Sequence, residues 1–438
     1  MTAIDQGDLQ GNILCGYGFE HALYAFLQVR ERAAARGWLR DLLPALTTAE
    51  PWGAGRPDST ANLAVSARGL AALGMDREVL AGFPADFLEG MASRARMLSD
   101  TGPSAPERWE TPLRGEAHVV LMLNARSESA LARARDEHLA SGALELVYEQ
   151  PAAALAGARE HFGFRDGFAQ PQIADRRAGP WVGSGTPRRF GWKALQPGEF
   201  VLGYPDEDGA PPAAPAEPYG RGGTFMVLRK LRQDVALWHR WMREWAGDER
   251  EERDALAAKI VGRWQDGRPL SLFPERVHDQ PSADELRRTN RFRFRDDPEG
   301  LRCPLGAHIR RVNPRDALGG DGRLSSRHRI IRRGMPYGPP ADGDRPDDED
   351  RGLVFVSFQA SIERQFETIQ ARWCADGDPF GLGADADFLL ADGDPDGKMT
   401  IPGDPPRYLH PQPSFVTTRG GGYYFVPGIG ALAALAGS

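Results

Sequence analysis

An aspartate between glycines and phenylalanines is the first residue of this sequence that could do chemistry. The segment 161–172 reads HFGFRDGFAQPQ and places Asp166 next to Gly167. The glycines indicate a tight backbone turn, and the phenylalanines surround a carboxylate with apolar rings. Most Asp-Gly pairs, however, are turn or helix-capping residues. The segment alone leaves both interpretations open.

A histidine in a short apolar stretch is the second residue that could do chemistry. The segment 302–315 reads RCPLGAHIRRVNPR, and His308 is followed by Arg310, Arg311 and Arg315. Imidazole is a common axial ligand of haem iron, and arginines are natural partners of haem propionates. A lone histidine is more often a structural residue whose ring nitrogens are hydrogen-bonded. Haem ligation therefore remains one of two interpretations.

A cluster of arginines is the third candidate. The segment 327–338 reads RHRIIRRGMPYG, so four arginines and a histidine surround two isoleucines. A basic nucleic-acid patch is one interpretation, but the rest of the sequence offers no supporting basic surface. An arginine directed into an apolar pocket could instead stabilise charge on a breaking peroxide bond. A strand with solvated basic positions is the third interpretation.

The composition limits the kind of protein that carries these residues. The chain has 438 residues, enough for two ordinary domains, and is 41% hydrophobic and 26% charged. Its net charge of -7 argues against general nucleic-acid binding. Cys15, Cys303 and Cys374 share no short spacing, which indicates neither a zinc site nor a disulfide framework. With no basic secretory segment and no long apolar run, we expect a cytoplasmic protein that does not enter a membrane.

Alternating strand and helix patterns must position the three segments. In the first third of the chain, strands are predicted over 19–29 and 116–124, and helices over 32–43, 61–74 and 127–140. The last of these helices begins on a capping serine, Ser127. This order of elements is typical of an α+β domain.

A second set of elements follows a connector rich in glycine and proline. Strands are predicted over 223–229, 353–358 and 421–427, and a helix over 232–246. A further helix after residue 358 carries one apolar stripe of Ile362, Phe366, Ile369 and Trp373. The similar order in both halves predicts two related α+β domains. We place the first at 1–150, a connector at 151–220 and the second at 221–438.

The three segments, in this order, resemble the dye-decolourising peroxidase family. The resemblance covers nearly the whole chain, and its intervening lengths favour the larger intracellular branch. One shared motif is glycine–x–x–aspartate–glycine, present as Gly163, Asp166 and Gly167. The matching stretches are DLQGNILCGYG (8–18), FGFRDGFAQP (162–171), EFVLGYPDEDG (199–209), GGTFMVLRKLRQDV (222–235), GAHIRRVNPR (306–315), IIRRGMPYG (330–338), LVFVSFQASIERQFETIQARW (353–373) and TTRGGGYYFVPG (417–428).

The resemblance implies two ferredoxin-like domains, each an antiparallel sheet with packed helices, and a haem b held mainly by the second. We expect the haem to be bound without a covalent link, because no Cys-x-x-Cys-His motif occurs. His308 becomes the proximal iron ligand, and Asp394 the candidate acceptor of its other ring proton. The remaining cofactor-binding candidates are Arg311, Arg315, Gly163, Gly167, Phe358 and Leu353, the last two as walls of the distal pocket or simple core residues.

On the distal side, the resemblance makes Asp166 the group that takes a proton from hydrogen peroxide and returns it to the leaving oxygen. A base of this type remains ionised in mild acid, so we expect activity to favour acidic pH. Arg332 is expected to stabilise the charge that develops as the O–O bond breaks. Arg329 and Arg333 compete for this role, and family members with a polar residue at the position of Gly334 differ from this chain there.

Electrons for the reaction are expected from bulky dyes or phenolic reductants in single-electron steps. Because large dyes cannot enter a buried pocket, we nominate Trp373, Tyr337 and Trp264 as aromatic transfer sites, although core packing is the alternative for each. The sequence leaves the oligomeric state and the use of manganese open. A haem carrier or sensor without peroxidase turnover is the alternative function.

Overall fold

The structure, a computed structural model, describes residues 3–53, 55–115, 117–174, 185–187, 191–341, 345, 347, 349–391 and 393–437. Thirteen strands are numbered in chain order over these residues: β1 His21–Gln28, β2 Ser59–Val65, β3 Val119–Ala125, β4 Glu145–Ala153, β5 Thr186–Pro187, β6 Trp192–Lys193, β7 Thr224–Gln233, β8 Ile331–Arg332, β9 Met335–Tyr337, β10 Gly352–Gln359, β11 Met399–Ile401, β12 Arg407–Leu409 and β13 Val416–Val426. The helices are Gly11–Leu14, Arg32–Leu42, Ala67–Ala72, Arg77–Ala81, Ala85–Glu89, Glu128–Leu139, Val235–Ala246, Arg250–Val261, Ala283–Thr289, His308–Val312, Arg323–Ser326, the π-helix Ile362–Cys374, and Ile429–Ala436.

Each half of the chain forms an antiparallel sheet, and the two sheets have the same strand order. In the first half the spatial order is β4-β1-β3-β2, and in the second half it is β13-β7-β10 followed by β8 and β9. Each sheet therefore places its last strand beside its first and its third beside its second, which is the ferredoxin-like order. The prediction of two related α+β domains is confirmed. The two sheets join edge to edge through a single residue pair, Val65 with Phe425.

A core shared by both sheets fills the space between them. Alternate residues of β1 and β3 pack there with alternate residues of β7, β10 and β13. The opposite faces of the sheets are covered by helices, including Arg32–Leu42 in the first half and Val235–Ala246 in the second. The helix-covered face of the second sheet is the one that positions the candidate site.

Most predicted strands and helices are present, and the local sequence predicts some of their ends correctly. Ser127 caps its helix by accepting a hydrogen bond from the N–H of Ala130 at 3.2 Å. The stripe from Ile362 to Trp373 is buried, as its spacing predicts. The helix predicted over 61–74 is wrong at its start, because Ala61 to Val65 extend strand β2 along β3. Pairing in the sheet overrides the helical propensity of alanine and leucine there.

Two further predictions concern boundaries and membranes. The last strand of the first sheet ends at Ala153, so the proposed division at residue 150 falls inside it. The domain boundaries stay a prediction. Across the described residues, no helix is both long and apolar enough to cross a membrane.

Candidate active site

A cavity of about 720 Å³ lies between the second sheet and its helices, and it contains all three segments singled out from the sequence. Its floor is the helix-covered face of β7, β10 and β13. Helices His308–Val312 and Ile362–Cys374 and the loop 160–169 form further walls. The loop 99–104, which belongs to the first half of the chain, closes one end.

Asp166 is held in this cavity by a tight turn. Its N–H donates to the carbonyl of Ala158 at 2.9 Å. Gly167 has a φ of +84° and Gly163 a φ of +93°, a region that residues with a Cβ seldom adopt. A Cβ on Gly163 would also lie 3.0 Å from the side-chain nitrogen of Gln265. The two glycines therefore serve the turn that presents Asp166, whose side chain is 44% exposed and lines the cavity.

Arg332 faces Asp166 across the cavity. Its Nη1 lies 3.2 Å from Oδ1 and 3.5 Å from Oδ2 of Asp166. The side-chain amide of Gln170 fixes the backbone of Arg332. It accepts from the N–H of Arg332 at 3.0 Å and donates to the carbonyl of Arg332 at 2.8 Å. Burial alone would raise the pKa of Asp166, but the charge of Arg332, the N–H of Gly167 and His308 lower it below its ordinary value.

The structure separates the three arginines that the sequence could not. Arg332 contacts Asp166, and Arg329 lines the same cavity. Arg333 instead donates hydrogen bonds to the carbonyls that end helix Gly11–Leu14, with Nε 3.0 Å from the oxygen of Asn12. Its guanidinium caps a helix of the first half and does not compete for the distal role.

His308 lines the cavity, and a carboxylate holds its imidazole ring at Nδ1. Nδ1 lies 2.9 Å from Oδ2 of Asp387, which is almost completely buried. Burial opposes ionisation of Asp387, but His308 and Arg311 lower its pKa below the ordinary value. The prediction of Asp394 as the acceptor is wrong. Asp394 is exposed at the rim of the cavity, and its carboxylate accepts the N–H of Asp396 at 2.9 Å.

Three more arginines, Arg263, Arg315 and Arg329, concentrate positive charge in the cavity wall. Burial and the charge of Arg332 lower the pKa of Arg263 and of Arg329 to about 10. Burial, with the charges of Arg263 and Arg329, also lowers the pKa of Arg315. In the described part of the chain, Arg263 and Arg315 share an uncharged acceptor, the side-chain oxygen of Asn290. An anionic ligand in the cavity would relieve this repulsion.

Arg311 does not belong to this group, so its prediction as a cofactor-binding residue is wrong. The guanidinium is completely buried and donates to the carbonyls of Trp373 at 2.9 Å, Asp376 at 3.2 Å and Asp385 at 2.5 Å. These carbonyls lie at and beyond the C-terminal end of helix Ile362–Cys374, where a cation satisfies oxygens that the helix leaves unpaired.

Strand β10 supplies the apolar wall through alternate residues. Leu353 and Phe355 line the cavity, and Val354, Val356 and Phe358 point into the core between the two sheets. Leu353 is therefore placed as predicted. The prediction of Phe358 as a pocket wall is wrong, because residues five apart in a strand lie on opposite faces.

The aromatic residues nominated for surface electron transfer are buried. Trp373 is 5% exposed and Tyr337 is 3% exposed, which contradicts a surface role for either side chain. Tyr337 donates to a carboxylate oxygen of Asp350 at 3.1 Å, and Trp373 packs edge-on against His328. Trp264 is also buried and donates to the carbonyl of Phe273 at 2.9 Å. All three side chains therefore pack in the interior of the fold.

Four residues of the site were not predicted from the sequence: Asp387, which holds His308, and the cavity residues Arg263, Phe355 and Glu160. Asp387 stands in a stretch with several aspartates, and nothing local separates it from Asp385 or Asp394. The period of β10 could have exposed Phe355, had Leu353 been taken as the reference. Over the described residues, no group of three or more histidine, cysteine or acidic side chains is arranged to hold a free metal ion.

Comparisons with known proteins show what the whole chain is similar to. A family model described as the DyP dimeric alpha+beta barrel domain matches residues 8–145, and one described as Dyp-type peroxidase, C-terminal, matches 213–379. The multifunctional dye peroxidase DyP2 of an Amycolatopsis species is 30% identical over 99% of this chain and 96% of its own. The dye-decolorizing peroxidase msp1 of Mycetinis scorodonius is 29% identical over 97% and 86%. The crystal structure of a DyP-type peroxidase from Auricularia auricula-judae superposes with a TM-score of 0.86 at 25% identity, covering all of both chains.

Proposed function

The chain belongs to the dye-decolourising peroxidase family and is a haem peroxidase, and we propose that it uses Asp166 and Arg332 to activate hydrogen peroxide opposite a haem bound by His308. The observation that carries this proposal is the composition of one cavity. It brings a paired acid and arginine together with a histidine whose second nitrogen is bound by a buried carboxylate. The reductants we propose are dyes and phenolic compounds, oxidised one electron at a time.

The residues of the cavity fit a haem b. His308 offers Nε2 as the ligand nitrogen, because Nδ1 is engaged by Asp387. Arg263, Arg315 and Arg329 offer the positive charge that two propionates require. The absence of a Cys-x-x-Cys-His motif in the sequence supports non-covalent binding. Most of the lining residues belong to the second half of the chain, which would hold the group.

Asp166 is proposed to move the proton of the peroxide. With a pKa below its ordinary value, its carboxylate is ionised at neutral pH and can accept the proton from a peroxide molecule in the cavity. The same oxygen can then return the proton to the departing oxygen, which leaves as water. Gly163 and Gly167 permit the tight turn that presents this carboxylate to the cavity.

Arg332 is proposed to stabilise the negative charge that develops while the O–O bond breaks. Gln170 fixes the backbone of Arg332, and the guanidinium lies 3.2 Å from Asp166, so the group is in place before peroxide arrives and little reorganisation is needed. Arg329 adds a second positive charge from the same wall. A haem bound here would supply the two electrons that the peroxide takes up, and the reductants would then restore them one at a time.

Replacement of Asp166 tests the proposal. In Asp166→Ala we expect an unchanged Soret band and a loss of peroxide-dependent oxidation of an anthraquinone dye by about 100-fold or more. Asp394→Asn is the matched control, since Asp394 also lines the cavity but stands apart from the distal pair. Full turnover in Asp166→Ala would overturn the distal assignment and favour a haem carrier or sensor.

Replacement of His308 tests the cofactor assignment separately. Purified wild-type protein should show a Soret band, and His308→Ala should lose or shift it, because the iron loses its protein ligand. An identical absorption spectrum in His308→Ala would contradict the role of this histidine.

A further inference from the structure

A second carboxylate, Glu160, lies in the same cavity wall as Asp166, and the proposed peroxide chemistry does not use it. It stands at the start of the loop that ends in Asp166. Burial raises the pKa of Glu160, although hydrogen bonds from Phe162, Gln233 and Phe164 act against the shift. Burying the charged form of an acid costs free energy, so interactions that compensate for this cost are expected around Glu160.

Both carboxylate oxygens of Glu160 bind the loop itself. Oε2 accepts the N–H of Phe162 at 2.9 Å, and Oε1 accepts the N–H of Phe164 at 2.8 Å. The backbone of Glu160 adds two more bonds, from the N–H of Gly163 to its carbonyl and from its own N–H to the carbonyl of Phe164, each 2.9 Å long. The carboxylate of Glu160 therefore binds two backbone N–H groups of the loop between residues 160 and 164 and holds its shape.

A third donor ties this loop to the floor of the cavity. The side-chain amide of Gln233, at the end of β7, donates to Oε2 of Glu160 at 2.5 Å. Gln233 also lines the cavity and is itself buried. Three N–H donors on one carboxylate match the ionised acid, which only accepts hydrogen bonds. Glu160 thus joins the sheet to the turn that carries Asp166.

The loop has other supports. The N–H of Arg165 donates to the carbonyl of Gln265 at 3.0 Å, and Arg159 donates to the same carbonyl at 2.8 Å. Phe162 stacks on Trp238 with ring centres 4.8 Å apart. Glu160 differs from these supports because it also binds Gln233 at the end of β7.

We propose that Glu160 is a positioning residue for the peroxide reaction, which fixes the 160–166 loop to β7 and so sets the position of the Asp166 carboxylate opposite Arg332. This inference rests on the proposed role of Asp166. Small displacements matter for such a group, since a shift of about 1 Å can cost roughly 100-fold in rate. The role is indirect: Glu160 holds the loop, and Asp166 moves the proton.

Glu160→Gln is the variant that tests this role. The new amide keeps one accepting oxygen and replaces the other with an NH₂ group, so it cannot accept from both the Phe162 side and the Phe164 side of the loop. We expect kcat/KM for hydrogen peroxide to fall about ten- to 100-fold. We expect kcat/KM for 2,6-dimethoxyphenol to stay within about twofold, because the reductant reacts after the peroxide step. A general loss of structure would lower both values together.

Hydrogen exchange gives a readout that does not depend on turnover. In protein with and without haem, at least one of the amides of Phe162 and Phe164, the one that faces the NH₂ group, should exchange faster in Glu160→Gln than in wild type. Gln233→Leu removes only the tie to β7 and should lower the peroxide value in the same direction by a smaller factor. It keeps the test open if Glu160→Gln does not fold.

Asp86→Asn is the matched control. Asp86 is a buried acid that also accepts two backbone N–H groups, from Phe87 at 2.7 Å and from Glu363 at 2.8 Å, outside the cavity lining. It should leave both kinetic values unchanged.

Asp166→Asn, measured beside these variants, separates the two proposals. If it reacts like wild type, the proposed role of Asp166 fails. If it is inactive while Glu160→Gln keeps the wild-type peroxide value, only the positioning role is overturned.

Discussion

At the scale of single residues, the site depends on charges placed close together in a confined space. The pKa of Asp166 lies below its ordinary value because the charge of Arg332 and the N–H of Gly167 outweigh the effect of burial. The arginines repel one another, and burial adds to the fall in their pKa values. Each acid and base is therefore tuned by its neighbours, and removing one partner should change the titration of another.

The pH dependence of the peroxide step should report the pKa of Asp166. The folded-state pKa lies below the ordinary value of about 3.9, so the active carboxylate is lost only as the pH falls through that lowered value. We expect kcat/KM for hydrogen peroxide to stay level from about pH 7 down to about pH 4. In Arg332→Leu the value should fall about 100- to 1,000-fold, and its acid limb should move to higher pH. A limb that stays in place would contradict the coupling of these two residues.

Asp387 should control the electronic character of His308. Asp387→Asn keeps an acceptor for Nδ1–H but removes the negative charge, which makes the imidazole a weaker donor to iron. We expect the reduction potential of the bound haem to rise and haem affinity to fall about ten- to 100-fold. Spectroelectrochemical titration measures the first and haem transfer to an acceptor protein the second. Asp394→Asn should change neither value, and an equal effect of both variants would sink the assignment.

At the scale of elements, strand β10 divides its side chains between two tasks. Leu353 and Phe355 face the cavity, and the residues between them stabilise the core shared by the two sheets. One strand thereby couples the shape of the pocket to the packing of the whole fold. The turn at 160–167 and the short strand β8 then bring the acid and the arginine to this wall.

Two phenylalanines of β10 should respond differently to truncation. Phe358→Ala should destabilise the protein by about 3–5 kcal/mol and leave the haem spectrum unchanged, because Phe358 is completely buried in the shared core. Phe355→Ala should cost less stability and tighten the binding of 4-phenylimidazole by about tenfold, since it opens the cavity. Chemical denaturation and ligand titration measure the two effects. A reversed pattern would mean that β10 presents its other face to the site.

At the scale of the whole molecule, the first half of the chain completes a site that the second half mainly builds. The loop 99–104 closes one end of the cavity, and Asp100 pairs there with Arg229 of β7. Both side chains are almost completely buried, and Arg229 also donates to Oγ1 of Thr418 at 2.5 Å. The two halves are thus coupled through an ion pair as well as through the joined sheets.

Removing this ion pair should weaken the whole molecule. Asp100→Ala leaves a buried guanidinium without its carboxylate, and we expect a loss of about 3–5 kcal/mol in the free energy of unfolding. Glu145→Ala, which removes the partner of exposed Arg30, is the matched control and should have no measurable effect. Haem binding should raise the Tm of both halves in one transition. Two separate transitions in the haem-bound protein would contradict the coupling.

The sequence by itself determined the fold class and the family, and it singled out the central residues of the candidate site. Strand and helix periods gave the repeated α+β order, and ordered motifs singled out Asp166, His308 and the arginines at 329–333. These features are local: a turn needs its glycines, a helix its cap, and a motif its neighbours in the chain.

Only the tertiary structure decided which side chains meet. It assigned Asp387 in place of Asp394 to His308, sent Arg311 and Arg333 to helix ends, placed Phe355 on the cavity and buried Trp373 and Tyr337. None of these outcomes follows from local pattern, because nearby positions with the same side chain differ only in direction. That direction is set by contacts with segments far away in the chain.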